Sequence, residues 1–416
     1  MSSGVDRVVA ELEEVCRMTR RYRTARPEEH RALMVQDAQA FGDSTAGVSI
    51  DRSVARTRVE ELRVLEEDGA RLGLLLARGQ PVRWGGRPVP ASQLSGLSVA
   101  AEHRGRGVAT ELLRAYLAEV HERGAAISTL FPAAVQLYRR AGYEYAGTVT
   151  LYEVAARHLP VGWPEGWGAR SVPADDPAPL AEPFARVTRD RNGQVERDPD
   201  WWRQFPLADR GSGPPQAFVV DGPDGPDGWA ILNVSSDLAA SEVRTSVQVV
   251  DWGAVSEAGW RSLLTLAAGF SSLAATVHWK GPDPEPLALL VAEQDIRQLR
   301  QDRWMARVVD VPGAFAARGY PSGLRGRITI AVRDDTCPWV DGTWTIEVDG
   351  SEGKAVRVGD DADVRTTAAG LAALFAGYHD PRDLAALGVV AGLGPAEIEF
   401  LQALHAGPKP WSADYY

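Results

Sequence analysis

Leu97-Ser98-Val99-Ala100-Ala101-Glu102-His103-Arg104-Gly105-Arg106-Gly107-Val108-Ala109-Thr110 is the stretch on which the reading of this chain turns. Just upstream, Gln93-Leu94-Ser95-Gly96 leads into it with the composition of a partly buried strand. Downstream, Val108, Leu112, Tyr116 and Val120 recur every four residues, Leu113 and Leu117 widen the stripe, and Glu111, Arg114, Glu119, Glu122 and Arg123 fall off it. Gly124 then stops the helix. The segment between is a strand-to-helix loop whose glycines let backbone N–H groups approach an anion, backed by the positive end of a helix dipole. Spacing separates the kinds of phosphate loop. A dinucleotide fingerprint needs G-x-G-x-x-G, and Thr110 stands where its third Gly would fall; a P-loop needs G-x-x-x-x-G-K-(S/T), which is absent. What does match is R-x-x-G-x-A at Arg104, Gly107 and Ala109, and the pattern (Q/R)-x-x-G-x-(G/A) occurs nowhere else in the chain.

The next segment completes a signature. Residues 125–131 are a short apolar run, residues 133–140 are helical in pattern, and Gly142 breaks the helix within Leu137-Tyr138-Arg139-Arg140-Ala141-Gly142-Tyr143. Loop and helix together resemble the GCN5-related N-acetyltransferases, the GNAT superfamily. The resemblance implies a coenzyme A site in which the backbone of Leu97, Ser98 and Val99 holds the pantetheine and acetyl thioester. Arg104, Gly105, Arg106, Gly107, Val108, Ala109 and Thr110 would hold the pyrophosphate, and Ala133 and Ala134 would add to the cofactor contacts. Tyr138 falls where the family commonly places a phenol near the sulfur.

Length calls for more than one such domain. A domain of this kind needs about 150 residues, and the chain has 416. Trp163-Pro164-Glu165-Gly166-Trp167-Gly168 reads as a linker, followed by strand patterns at 216–220, 229–234 and 244–252 and a helix at 257–275 with no phosphate loop before it. From about 306 the character changes: a strand beginning at Val308 and Val309, a short helix at 313–319, strands at 324–332 and 342–348, and Val364-Arg365-Thr366-Thr367 leading into a helix at 368–375. This last run, with "GTWTIEVDG" and "ADVRTTAAGLAALFAGYHDP", resembles a sterol-carrier-like domain. The expected fold class is α/β (α+β): tandem GNAT-like domains with mixed central sheets plus a C-terminal sterol-carrier-like domain. The boundaries are an extra N-terminal helix at 1–21, a catalytic GNAT domain at 22–160, a second GNAT-like domain without a cofactor site at 169–305, and the sterol-carrier-like domain at 306–416.

That order of domains resembles the Eis family, named for enhanced intracellular survival, of bacterial aminoglycoside acetyltransferases. The resemblance implies transfer of acetyl from acetyl-CoA to primary amines of a cationic small molecule, and a homo-oligomer, usually a hexamer. It also implies two catalytic groups: Tyr138, protonating the departing thiolate, and the α-carboxylate of the final residue, here Tyr416, accepting the proton of the amine. The family commonly ends in Phe, so Tyr416 departs from it in the side chain while keeping the carboxylate. The chemistry explains the pair. Alkyl amines have a pKa of about 10 and must lose a proton to attack a thioester, and a free α-carboxyl near 3.3–3.7 is a poor base until desolvation or an acidic neighbour, for which Asp414 stands closest, raises it. Trp411, Tyr415 and Tyr416 argue that the tail is buried rather than frayed. Acetylation of protein lysines or a metabolite amine is a second reading, and a non-catalytic acyl-CoA or lipid-binding protein a third.

Composition narrows the field further. Cys16 and Cys337 are distant and form no C-x-x-C, and the seven His show no metal-ligand spacing, so no disulfide framework or metal site is expected. The charged N-terminus is no signal peptide and no apolar run reaches the roughly 18 residues of a membrane span, which points to the cytoplasm without a membrane partner. A net charge of −11 disfavours nucleic acid and suits a polycationic substrate, for which the 13 Trp offer aromatic faces.

Overall fold

The computed structural model describes residues 20–210, 213–237, 244–359 and 362–416. Two compact units emerge, one formed by residues 20–78 and 94–119, the other by 79–93 and 120–416.

In the first unit the strands Arg20–Thr24, Leu62–Glu67, Ala70–Arg78 and Ala91–Val99 lie side by side in that order. Asp68 and Gly69, at φ 49° and 81°, make the two-residue turn between the central pair. Leu62, Val64, Leu74 and Leu76 present one face to the helices His30–Phe41 and Gly47–Arg56 through Leu33, Met34, Ala38 and Ile50. Helices this short are marginal alone, so their packing residues, worth about 1.5–3 kcal/mol each when buried, set their position. The opposite face takes the helix Val108–Glu122: a Cβ on Gly73 would lie 3.0 Å from Leu112 and 2.7 Å from the Ser98 carbonyl, so only glycine permits this approach. The expected N-terminal helix lies outside the described residues up to residue 19; its last two positions, Arg20 and Arg21, open a strand instead. They pair with Glu67 and Glu66 in register, and that cross-strand charge match outweighs the helical pattern upstream.

The second unit carries eight strands in the order Ile127–Leu130, Arg297–Val308, Glu144–Ala155, Thr276–Gly281, Arg244–Ala254, Gly225–Asp237, Gln216–Gly222 and Gly168–Val172. Only Arg244–Ala254 and Thr276–Gly281 run parallel to each other. A five-stranded sheet follows, ordered Glu352–Val358, Gly342–Asp349, Arg325–Arg333, Val364–Thr367 and Val390–Ala391. Helix Ala368–Ala376 packs on the strands Arg297–Val308 and Glu144–Ala155 as well as on this sheet; Thr367 caps its start through the Gly370 N–H, and Gly377, at φ 67°, ends it.

Two expectations needed revision here. Val308 and Val309 do not begin a strand of the last domain; Val308 closes the 12-residue strand Arg297–Val308, which lies between Ile127–Leu130 and Glu144–Ala155 with Met305 opposite both Leu130 and Tyr145. Its charged first half hid it, while 304–309 are buried throughout, as a central strand requires. The helix expected over 257–275 is Glu257–Ala268 and ends at Gly269.

Candidate active site

The loop forms as its sequence demands. After Val99 comes a single turn, Ala101–His103, then Gly105 and Gly107 at φ 75° and 77°, then the helix. A Cβ at either glycine would meet nothing, so their requirement is conformational and the space in front of them is open. Gly107 accepts the Glu111 N–H at 3.1 Å as the helix begins, which leaves the N–H groups of its first turn without helical acceptors. Arg104, Gly105, Arg106, Gly107 and Thr110 are exposed, Val108 is buried, and Ala109 is half-buried. Arg104 reaches back to the Val99 carbonyl at 3.4 Å, and Arg106 lies 3.1 Å from the His103 ring. Ser98 is buried while Leu97 and Val99 are partly accessible.

Tyr138 lies in the second unit, in the short helix Val135–Arg140, directly after the exposed Ala133 and Ala134. It is 5% exposed. Its carbonyl accepts the N–H groups of Ala141 at 2.9 Å and Tyr143 at 3.0 Å, so the turn closes on the residue that carries the phenol. The ring stands edge-on to Tyr143, whose hydroxyl donates to Ser128 Oγ at 2.8 Å. Among the described residues nothing hydrogen-bonds the Tyr138 hydroxyl, and burial pushes it up to about 12. At neutral pH it is a donor. Arg307 braces the turn from below: its guanidinium donates to the Ala141 carbonyl and to Asp334, which also accepts the Thr336 and Cys337 N–H groups at 2.9 Å.

The tail is anchored along its length. Trp411 donates its N–H to the Asn192 carbonyl at 3.1 Å, and Ser412 to Thr148 at 3.1 Å. Lys280 donates to the Ala413 carbonyl at 3.0 Å, and burial lowers its ammonium to about 8. Asp414 accepts from Arg197 Nε at 3.2 Å and from Trp201 Nε1 at 3.1 Å. Arg197 also pairs with Asp251, its guanidinium lying 4.3 Å and 4.5 Å over the rings of Phe184 and Trp202. Asp414 is therefore paired with a buried guanidinium and anchors the tail. Beyond the anchor, Tyr415 stacks on Phe131 at 4.3 Å, and Tyr416 rests against Phe131, Trp201 and Phe205 with its hydroxyl 2.6 Å from Thr129 Oγ1.

This arrangement has counterparts. The family described as Acetyltransferase (GNAT) domain matches residues 21–146, a second family of the same description matches 193–308, and a Sterol carrier protein domain matches 311–413. An uncharacterized N-acetyltransferase of Streptomyces avermitilis is 28% identical over 344 residues, covering 79% of this chain and 82% of its own length. N-acetyltransferase Eis of Mycobacterium tuberculosis is 26% identical over 313 residues, 72% of this chain and 73% of that protein. The chain belongs to the Eis-like GNAT N-acetyltransferases. A GCN5-related N-acetyltransferase from Anabaena variabilis superposes with a TM-score of 0.89 at 26% identity, over 96% of this chain and 100% of that one.

Within this GNAT acetyltransferase the two helix N-termini differ in a way that sequence only hinted at. In the second GNAT domain the helix Glu257–Ala268 is capped by Ser256, and the Asp227 carboxylate accepts the Val255 and Ser256 N–H groups at 3.2 Å and 3.1 Å. The protein's own anion fills that end. Thr129, Phe131, Arg197, Trp201, Asp251 and Lys280 carried no motif, since the tail meets its anchors across as many as 287 positions. Among the described residues no His, Cys, Asp or Glu side chains cluster as a metal site, and no helix is long and apolar enough to cross a membrane.

Proposed function

We propose that this acetyltransferase moves the acetyl group of acetyl-CoA to primary amines of a cationic small molecule, an aminoglycoside acetylated at several positions, with Tyr138 as general acid and the α-carboxylate of Tyr416 as general base. The open glycine loop at Arg104–Thr110 fits a pyrophosphate: two guanidiniums flank unpaired first-turn N–H groups, and no side chain fills the space before the glycines. The strand end at Leu97, Ser98 and Val99 would take the pantetheine, and Ala133 and Ala134 would flank the thiol end.

In this mechanism the carboxylate of Tyr416 takes a proton from the substrate ammonium, and the neutral amine nitrogen attacks the thioester carbon. The new C–N bond forms, the C–S bond breaks, the Tyr138 hydroxyl gives its proton to the departing sulfur, and the second proton of the attacking nitrogen, lost as the amide forms, returns to the Tyr138 oxygen through solvent. A phenol at about 12 holds its proton more tightly than an ordinary thiol near 8.5. The same desolvation raises the proton affinity of a thiolate bound beside it, so donation stays matched. Holding amine and thioester together supplies much of the remaining acceleration.

The observation that carries the reading is the docking of Tyr416 on Thr129 and Phe131, on and just after the strand that leads to Tyr138. The test is release of free thiol from acetyl-CoA with aminoglycosides, polyamines and lysine peptides, followed by mass spectrometry of the products. Multiple acetylation of an aminoglycoside is the expected result; turnover confined to lysine peptides overturns the substrate class. The assembly expected from the resemblance is a cytoplasmic hexamer, which sedimentation of the purified protein checks.

A further inference from the structure

Buried arginines in this protein come with carboxylates. Arg63 pairs with Glu119, Arg78 with Glu61, and Arg307 with Asp334. Arg318 does not. It is 3% exposed, it follows the helix Val311–Ala317, and among the described residues no carboxylate forms an ion pair with it. Nη1 donates to the Phe375 carbonyl at 2.5 Å, the guanidinium lies 5.1 Å from the rings of both Tyr320 and Phe375, and the buried Nε has no partner. A guanidinium taken out of water without a counter-charge is strongly unfavourable, and two aromatic faces and one carbonyl offset only part of that cost.

Arg318 lines a cavity of about 250 Å3 together with Gly85, Asn192, Tyr320, Gly377 and His405. His405, at the end of the helix Pro395–Leu404, is the second anomaly: neither ring nitrogen has a hydrogen-bond partner. Burial, and then the charge of Arg318, lower its ring to about 3 against the opposing pull of the Leu374 backbone, so it is neutral. Glycines keep the space open. A Cβ on Gly377 would fall 2.5 Å from the His405 ring, and one on Gly85 would fall 2.1 Å from the Gly319 carbonyl. Asp190 is the one carboxylate on the wall, and it lies toward Gly86.

We propose that this cavity binds a small oxyanion, held by the Arg318 guanidinium beside the His405 ring. One anion would satisfy the orphaned Arg318 Nε and neutralise the buried charge, which no rearrangement of the surrounding apolar groups can do. The volume lies below the roughly 300–1,000 Å3 of pockets for drug-sized ligands, which restricts the occupant to the scale of phosphate, a short carboxylate or a small phosphate monoester. The site is independent of the acetyl-transfer reading.

The experiment uses the full chain. Inorganic phosphate, acetate and glycerol 3-phosphate are titrated separately by calorimetry and thermal unfolding, against sodium chloride at matched ionic strength, for the wild type, Arg318→Lys and Arg318→Met. One of the three anions is expected to bind at one equivalent and raise the unfolding midpoint, and which one does so identifies the source. Arg318→Met should bind at least tenfold more weakly, and its midpoint without anion should equal or exceed that of the wild type, because the uncompensated charge is gone. Arg318→Lys should retain part of the binding. Crystals of the wild type grown with selenate should show an anomalous peak within hydrogen-bond distance of Arg318 Nε, a result that stands even if Arg318→Met fails to fold. Absence of that peak, or affinity unchanged in folded Arg318→Met, overturns the site.

Discussion

The hydroxyl of Tyr416 lies 2.6 Å from Oγ1 of Thr129, while the neighbouring Ser128 accepts a hydrogen bond from Tyr143, the ring against which Tyr138 stands. Successive strand residues point to opposite faces, so the tail approaches this strand on one face and the Tyr138 turn packs on the other.

Blocking the end of the chain therefore tests the base. Residues appended after Tyr416, or deletion of Tyr416, should lower kcat by about 10²–10⁴, the usual worth of a positioned acid or base. With appended residues the thermal midpoint should barely move, because the anchor from Trp411 to Asp414 is intact, whereas deletion also removes the Tyr416 contacts with Thr129, Phe131, Trp201 and Phe205 and should lower it. Full activity in either variant removes the carboxylate from the mechanism.

The anchor itself has a different signature. In Asp414→Ala, Arg197 keeps Asp251 but loses its second carboxylate, and the buried indole N–H of Trp201 loses its acceptor. Breaking a buried pair from one side costs about 3–5 kcal/mol, and the surviving partner holds this case near the lower figure. Stability and kcat should fall together, with KM for acetyl-CoA unchanged, as measured by thermal unfolding and steady-state kinetics.

Tyr138→Phe should behave in the opposite sense. Among the described residues the hydroxyl has no hydrogen bond to lose, so stability at pH 7 should stay within about 0.5 kcal/mol while kcat falls by about 10²-fold or more. The folded phenol titrates near 12 against an ordinary value of 10, so its contribution to stability is complete below pH 10 and is lost as pH rises toward 12. Within that alkaline window the wild type should lose stability relative to Tyr138→Phe, and below it the two pH profiles of stability should coincide.

The parts of the site that were legible in sequence are those made by neighbours in the chain. Gly105 and Gly107 declare their positive φ by being glycine, and the four-residue spacing from Val108 onward declares a helix. The turn of Tyr138 is bounded by Gly142 at φ 83°. What was not legible depends on long-range pairing. Arg297–Val308 carries Arg297, Arg300, Asp302 and Arg303 in its first seven residues, which read as a solvated segment, yet it is a central strand. Asp414 read as an acidic neighbour because nothing near it in sequence announces Arg197. An ion pair between distant residues leaves no periodicity behind.

A carboxyl in the first unit gives a pH test of its own. Asp37 faces Gly96, where a Cβ would lie 2.9 Å from its Oδ1, and that oxygen is buried without a partner. Burial, and then Asp43, push it up to about 7 against the pull of Arg78. Between about pH 4 and 7 the unfolded chain releases this proton while the folded one keeps it, so its contribution to stability, complete near pH 4, is lost as pH rises to 7. About three units at 1.36 kcal/mol each bound the effect at about 4 kcal/mol. Asp37→Asn should raise the unfolding midpoint at pH 8 and leave it unchanged near pH 4; a constant difference across that range would show that the carboxyl ionises normally.

Asp334→Ala tests whether the last domain supports the phenol. Asp334 comes from that domain, Arg307 from the strand beside Glu144–Ala155, and the Ala141 carbonyl from the turn that ends the Tyr138 helix, so one guanidinium joins all three. A Cβ on Gly142 would fall on the Arg307 guanidinium, which leaves no room for the turn to shift while Arg307 is in place. Removing Asp334 leaves Arg307 buried with no carboxylate, held only by the Ala141 carbonyl and the Cys337 thiol, a loss of about 3–5 kcal/mol, and frees it to move. If its role ends at stability, kcat in the folded variant should be unchanged. If it positions the phenol, kcat should fall while KM for acetyl-CoA holds, and in a double-mutant cycle Asp334→Ala should cost less in the Tyr138→Phe background than in the wild type. The second pattern is expected, because the Ala141 carbonyl that Arg307 grips lies three residues from Tyr138, within the same turn.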